Sequence, residues 1–156
     1  MKKIGILNQA ISEVIAGMGH KDTLVIADAG LPIPPGVRRI DLALTEGIPG
    51  FGETVEAVHR ELEIESIIVA EEIEDVSPST YGALLALVGS VDVESVSHER
   101  FKALTQEASA VIRTGEFTSY ANVILVAGIV FSAERQRAGE SCGRTGFERS
   151  LTTPSG

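Results

Sequence analysis

The chain has 156 residues, with 13 Lys plus Arg against 22 Asp plus Glu and a formal net charge of −9. That length suits one domain around a single hydrophobic core and is cramped for two. The acidic balance opposes nucleic-acid phosphates and anionic membrane surfaces, which both need clustered Lys and Arg, and excludes them as main partners.

Apolar residues make up 44% and aromatic residues 4%, with no Trp, so the core is expected to be aliphatic. The single cysteine, Cys142, cannot form an intrachain disulfide, which suits a reducing compartment. Lys2 and Lys3 could open a signal peptide, but Asn8, Gln9, Ser12 and Glu13 interrupt its apolar region. The longest apolar run, residues 123–131, falls short of the ~20 residues a membrane span needs. The chain reads as soluble and cytoplasmic.

Ile11, Val14, Ile15 and Met18 recur at helical spacing, and Gly17 and Gly19 end that helix just before His20. Thr23 to Ala27 is a continuous β-favouring run, as in strands buried on both faces, which puts Asp28 at a strand's carboxyl end. Pro32, Pro34 and Pro35 make the next segment a stiff loop. Ile40, Leu42 and Leu44 alternate with Asp41 and Ala43 as a short strand, and a helix is expected from about residue 53 to 62.

Residues 66–70 read as a second buried strand, followed by Glu71 and Glu72. Residues 78–88 read as a helix with Pro in its first turn, and Val91, Val93 and Val96 as a strand near an edge. Phe101, Leu104, Ala108, Val111 and Ile112 fit one helical face, with Ser97 as N-cap and Gly115 beyond the end. His98 and Lys102, four apart, share one flank of that helix. Residues 122–126 and 129–131 read as terminal strand structure. The fold class is therefore α/β, a single domain of residues 1–131 with a central, largely parallel sheet flanked by helices. Residues 132–156, rich in Gly, Ser, Thr and Arg, are expected to form a disordered tail.

In open α/β sheets ligands bind outside the carboxyl ends of strands, which gives Asp28, Glu71 and Glu72 functional weight. His20 and His98 stand beside turns, where the plain alternative is a solvated surface histidine; His59, among Val55, Val58 and Leu62, is structural. Tyr120 and Asn122 can each donate and accept hydrogen bonds, as a polyhydroxyl ligand requires. No metal-ligand spacing and no phosphate-binding glycine loop is present, and Cys142 reads as an incidental thiol. The residues alone lead to an acidic α/β domain with a small polar-ligand site.

Several segments together resemble the family that holds the D-ribose pyranases and the L-fucose mutarotases. Residues 17–34 carry His20, Asp28 and the Gly-Leu-Pro-Ile-Pro loop of the ribose branch. Arg39-Ile-Asp-Leu-Ala-Leu-Thr, Ala70-Glu-Glu-Ile, His98-Glu-Arg-Phe-Lys, Val111-Ile-Arg-Thr-Gly-Glu and Tyr120-Ala-Asn-Val-Ile-Leu follow in order. The resemblance implies interconversion of the pyranose and furanose forms of D-ribose without a cofactor or metal. It implies His20 as proton donor and Asp28, His98, Tyr120, Ala121 (through its backbone) and Asn122 as sugar contacts, with Lys102 as an addition. It also implies a ring-shaped homopentamer or homodecamer.

Opening a cyclic hemiacetal needs a proton on the ring oxygen and the loss of one from the anomeric hydroxyl. Histidine, with an unperturbed pKa of about 6.5, can give or take protons near neutrality. On this expectation His20 protonates the ring oxygen and Asp28 orients His20 or a sugar hydroxyl. The competing readings are a mutarotase for fucose or another sugar, and a non-catalytic sugar-binding accessory of ribose transport.

Overall fold

The computed structural model describes residues 1–131. The expected tail and Cys142 lie outside the described residues. Five strands run in one direction and a sixth runs against them. Strand β1 (Thr23–Ala27) pairs in parallel with β5 (Ala110–Arg113), and β5 with β2 (Arg39–Asp41). Strand β3 (Ile64–Ala70) pairs in parallel with the edge strand β4 (Asp92–Val96). Strand β6 (Val123–Ala127) lies antiparallel between β1 and β3, giving the order β2-β5-β1-β6-β3-β4.

The alternation of side chains along β1 explains why its run is apolar throughout. Leu24 and Ile26 enter one core layer, which holds α1 (Gln9–Gly17), α2 (Phe51–His59) and α4 (Pro78–Val88). Val25 and Ala27 enter a second layer with Phe101 of α5 (His98–Leu104) and Leu31 of the proline loop. These four of the five β1 residues are fully buried, so each contributes on the order of 1–3 kcal/mol of apolar burial, Ala27 least. Asn8 caps α1 by accepting from the Ile11 N–H, and Ser97 caps α5 by accepting from Arg100.

Three sequence expectations need correction. The helical face read from Phe101 to Ile112 is not one helix: α5 stops at Leu104, a 3-10 turn follows at Thr105–Glu107, and Ala110–Arg113 is strand β5. Val111 and Ile112 face opposite core layers, a two-sided burial that their coincidental helical spacing hides. Strand β2 ends at Asp41, short of Leu42 and Leu44, and residues 129–131 are not in a strand. A short helix, α3 (Glu72–Val76), follows β3 directly, where the sequence reading has only two acidic residues.

Candidate functional site

Strand direction gathers the site. Because β1, β3, β4 and β5 are parallel, their carboxyl ends share one edge of the sheet. Because β6 runs the other way, the residues that precede it arrive at that same edge. Asp28 after β1, Glu72 after β3, His98 after β4 and Tyr120 to Asn122 before β6 therefore converge, although they are up to 94 positions apart in the chain.

Asp28 and Asn122 form the base of this cluster. The Asp28 N–H donates to Asn122 Oδ1 and Asn122 Nδ2 donates to Asp28 Oδ2, both at 2.8 Å. Asp28 Oδ1 accepts from the N–H groups of Gly30 and Leu31 at 2.9 and 2.8 Å, which folds the proline loop back over the strand end. Asn122 is 1% exposed, so its amide is a fixed fitting rather than a surface group. Next to it, Tyr120 adopts a left-handed backbone, φ 61°, unusual for a bulky residue. The buried Ser77 hydroxyl donates to the Ser119 carbonyl at 2.8 Å and tethers that turn.

Above the base, the His98 and Tyr120 rings meet edge to face, with centroids 5.1 Å apart, and His98 stacks on buried Phe101 at 6.4 Å. Asp28, Gly30, Leu31, Pro32, His98, Ser119 and Tyr120 line an open cleft of about 280 Å³. A second hollow of about 410 Å³ adjoins it past Asp28 and Gly30 and is bordered by Arg113, Glu116 and Thr118. Arg113 binds both Asp41 oxygens at 3.1 Å and donates from Nε to the Ala29 carbonyl, which fixes the cleft's far wall. Burial pushes the Glu116 carboxyl up, but hydrogen bonds from the Thr118 hydroxyl and from the Phe51, Thr118 and Phe117 N–H groups outweigh it and hold Glu116 below its ordinary value.

Two of the residues named from the sequence lie apart from this cluster. Lys102 sits one helical turn beyond His98 on α5, but its ammonium pairs with Glu99 and it does not line the cleft. His20 precedes β1, so it stands at the opposite edge of the sheet from Asp28. A five-residue strand rises about 17 Å, and His20 lies beyond its far end. There His20 Nε2 is 2.7 Å from Glu65 Oε2, and the carboxylate also pairs with Lys21. The Lys21 hydrogen bond, then that of His20, holds the Glu65 carboxyl below its ordinary value. Within one chain Asp28 therefore does not orient His20.

The sequence reading missed Ser119 and the Gly30 and Leu31 amides. The sequence places Glu72 after a buried strand, but nothing in it joins Glu72 to His98, whose backbone N–H donates to Glu72 Oε1 at 3.1 Å.

A family model described as the RbsD / FucU transport protein family matches residues 1–130. The chain belongs to that family. Among RbsD / FucU relatives, the D-ribose pyranase of Coprothermobacter proteolyticus is 53% identical over 131 residues, 84% of this chain and 100% of the relative. That of Symbiobacterium thermophilum is 55% identical over 131 residues, again 84% of this chain and 100% of the relative. The structure of Bacillus subtilis RbsD complexed with D-ribose aligns with a TM-score of 0.82 at 49% identity, covering 84% of this chain and 100% of that one. The fucose mutarotase of Streptococcus pneumoniae, in complex with L-fucose, aligns at 0.70 with 23% identity, covering 80% and 95%, and shares the fold. The family resemblance carried by the motifs is thus borne out, as is the α/β class with its mainly parallel sheet.

Proposed function

We propose that this chain is a D-ribose pyranase, an isomerase that interconverts the pyranose and furanose forms of D-ribose by acid/base ring opening and reclosure. The observation that carries this reading is the alignment with the D-ribose complex of Bacillus subtilis RbsD along that protein's whole length. The cleft offers matching chemistry: a carboxylate, an imidazole and a phenol around one small hollow, each able to hold a hydroxyl, with the Asn122 carboxamide bracing the carboxylate from beneath. Ribose is favoured over fucose by relatives named for ribose at 53 and 55% identity. Residues 1–131 are the working domain in this reading.

In the proposed mechanism Asp28, His98, Tyr120 and the Ala121 backbone hold the sugar hydroxyls, and Asn122 serves the sugar by holding Asp28 in place. His20 gives a proton to the ring oxygen, the anomeric hydroxyl loses one, and the open aldehyde recloses through a different hydroxyl. Two proton carriers suffice, and each typically contributes roughly 10²–10⁴-fold. Lys102 would join only by leaving Glu99.

Because His20 lies across the sheet from Asp28, the proposed site draws on two copies of the chain. Exposed apolar side chains on the two edges support this assembly: Leu44, Ile48 and Phe117 near the Asp28 edge, and Ile129, Val130 and Phe131 beyond the far end of β6. Apposing unlike edges is a head-to-tail contact, which closes into rings, in keeping with a homopentamer or homodecamer. The cytoplasm is the location carried by this reading, on the ground of the single cysteine.

Magnetisation-transfer NMR tests the activity. The protein should accelerate exchange between ribopyranose and ribofuranose signals and leave L-fucose anomer exchange near its spontaneous rate. Acceleration of fucose alone would move the assignment to a mutarotase. Ribose binding without acceleration would make the protein a sugar-binding accessory.

A further inference from the structure

A histidine that exchanges protons needs a partner for its second ring nitrogen, which fixes the tautomer and the ring plane. At the sheet edge that carries His20 that partner is Glu65 of β3, whose Oε2 lies 2.7 Å from His20 Nε2. The local backbone accounts for the meeting. Ile64 pairs with Ala127 and Ser66 with Val126, so neighbouring residues of β6 face residues two apart on β3, and Glu65 is the extra residue of a β-bulge. In a regular strand Glu65 would share a face with Ile67 and Val69 and enter the core layer of α1, α2 and α4. The bulge gives that place to Ile64 and turns the Glu65 side chain out to 29% exposure. The His20 turn is fastened to the same end of β6: the Lys21 N–H donates to the Ala127 carbonyl and the Ala127 N–H to the Asp22 carbonyl, both at 2.9 Å. Lys21 takes a left-handed backbone in this turn, φ 71°, and its ammonium pairs with the other Glu65 oxygen.

We infer that Glu65 is a positioning residue that holds His20 by Nε2 and leaves Nδ1 as the nitrogen that exchanges a proton with the sugar. An ionised carboxylate only accepts, so neutral His20 carries its proton on Nε2, directed at Glu65 Oε2, and Nδ1 is a bare lone pair. The Lys21 hydrogen bond, the largest influence holding the Glu65 carboxyl below its ordinary value, keeps that group ionised and therefore an acceptor. When His20 takes a second proton, the new N–H is on Nδ1. The proton given to the ring oxygen leaves from there and returns His20 to its neutral form, while Glu65 keeps the ring oriented without itself gaining a proton. The use of Nδ1 toward ribose rests on the proposed function; the hold of Glu65 on Nε2 does not.

The test joins ring spectroscopy to exchange kinetics on the full-length protein. A long-range ¹H–¹⁵N correlation at alkaline pH, where imidazoles are neutral, reads the tautomer of each ring, and a His20→Ala sample identifies the His20 signals. Wild-type His20 should be protonated on Nε2 alone, and Glu65→Ala should release it to a mixture of both tautomers. In magnetisation-transfer NMR, Glu65→Gln should lower the maximal ribose exchange rate on the order of 10- to 100-fold, with the ribose concentration for half-maximal rate changed less than about threefold. Lys21→Gln removes the ammonium but leaves the His20–Glu65 pair, and should cost less than about threefold in that rate. A wild-type His20 protonated on Nδ1, or a tautomer balance unchanged in Glu65→Ala, overturns the inference. So does an equal loss of rate in Lys21→Gln and Glu65→Gln, which would make the carboxylate only a tether for the Lys21 turn. The wild-type spectrum and Glu65→Gln keep the test decisive if Glu65→Ala does not fold. The expected tautomers in a protein that does not accelerate ribose exchange would uphold the hold of Glu65 on the ring and remove the proposed function, with the role of Nδ1, instead.

Discussion

Asp28 and Asn122 hold each other by two hydrogen bonds of 2.8 Å running in opposite directions, one from the Asp28 backbone and one from the Asn122 amide. Each thus fixes the other's orientation at the meeting point of two antiparallel strands. Asn122→Ala leaves the Asp28 N–H and one carboxylate oxygen without these partners. It should lower unfolding free energy by about 2–3 kcal/mol and weaken ribose binding at least tenfold, read by denaturant titration and by calorimetry. Wild-type stability with unchanged binding would mean that water replaces the amide without loss.

Gly115 sits where two backbones nearly touch. A Cβ there would lie 2.3 Å from the Thr45 carbonyl oxygen and 2.6 Å from that of Ile48. Neither is the free end of a flexible side chain, so Gly115→Ala must push the Thr45 to Ile48 turn away from the end of β5. A loss of about 2–3 kcal/mol is expected, seen as a Tm several degrees lower. A Tm equal to that of the wild type would contradict this close approach.

Glu116 predicts a pH dependence with a definite sign. Its carboxyl is held below the ordinary value of 4.5 in the folded chain, by the Thr118 hydroxyl and three backbone N–H groups acting against burial. A depressed folded pKa adds stability that is fully present above the ordinary value and is lost as pH falls through the folded one. Glu116→Gln should therefore cost on the order of 1 kcal/mol at pH 7. That deficit should shrink towards zero in acid, and an equal deficit at pH 7 and pH 3 would rule out the carboxylate charge as its source.

A site assembled from two copies makes a complementation prediction. His20→Ala and Asp28→Ala proteins should each be inactive, while oligomers reassembled from an equal mixture should recover roughly a quarter of wild-type activity, from contacts that join the intact half of each chain. No recovery from verified mixed oligomers would place both residues' roles within one chain or elsewhere.

Much of the architecture is legible in the sequence because its signals are local. The β1 run announces a strand buried on both faces, and Gly17 and Gly19 at the end of α1 and the proline of α4 mark helix ends. Strand β5 is hidden because Val111 and Ile112 match the period of the preceding helix, and only pairing with β1 and β2 reveals their true spacing. Gly115, read as a helix stop, owes its identity instead to the Thr45 and Ile48 carbonyls. The site is legible in parts: the family motifs name Asp28, His98, Tyr120 and Asn122, which do converge. Their convergence depends on β6 running antiparallel, which no local pattern encodes. The separation of His20 from Asp28 is not legible, since eight residues suggest proximity until the extended strand β1 is laid between them.

The central claim is that this chain speeds ribose ring exchange with His20 as the proton donor. The most direct measurement is magnetisation-transfer NMR on D-ribose at equilibrium, with wild type and with a His20→Ala protein verified to fold, assemble and bind ribose. Exchange well above the spontaneous rate is expected with wild type, and a loss of at least ~100-fold of that acceleration in the variant. Wild-type acceleration in His20→Ala, or none in the folded wild-type protein, would contradict it.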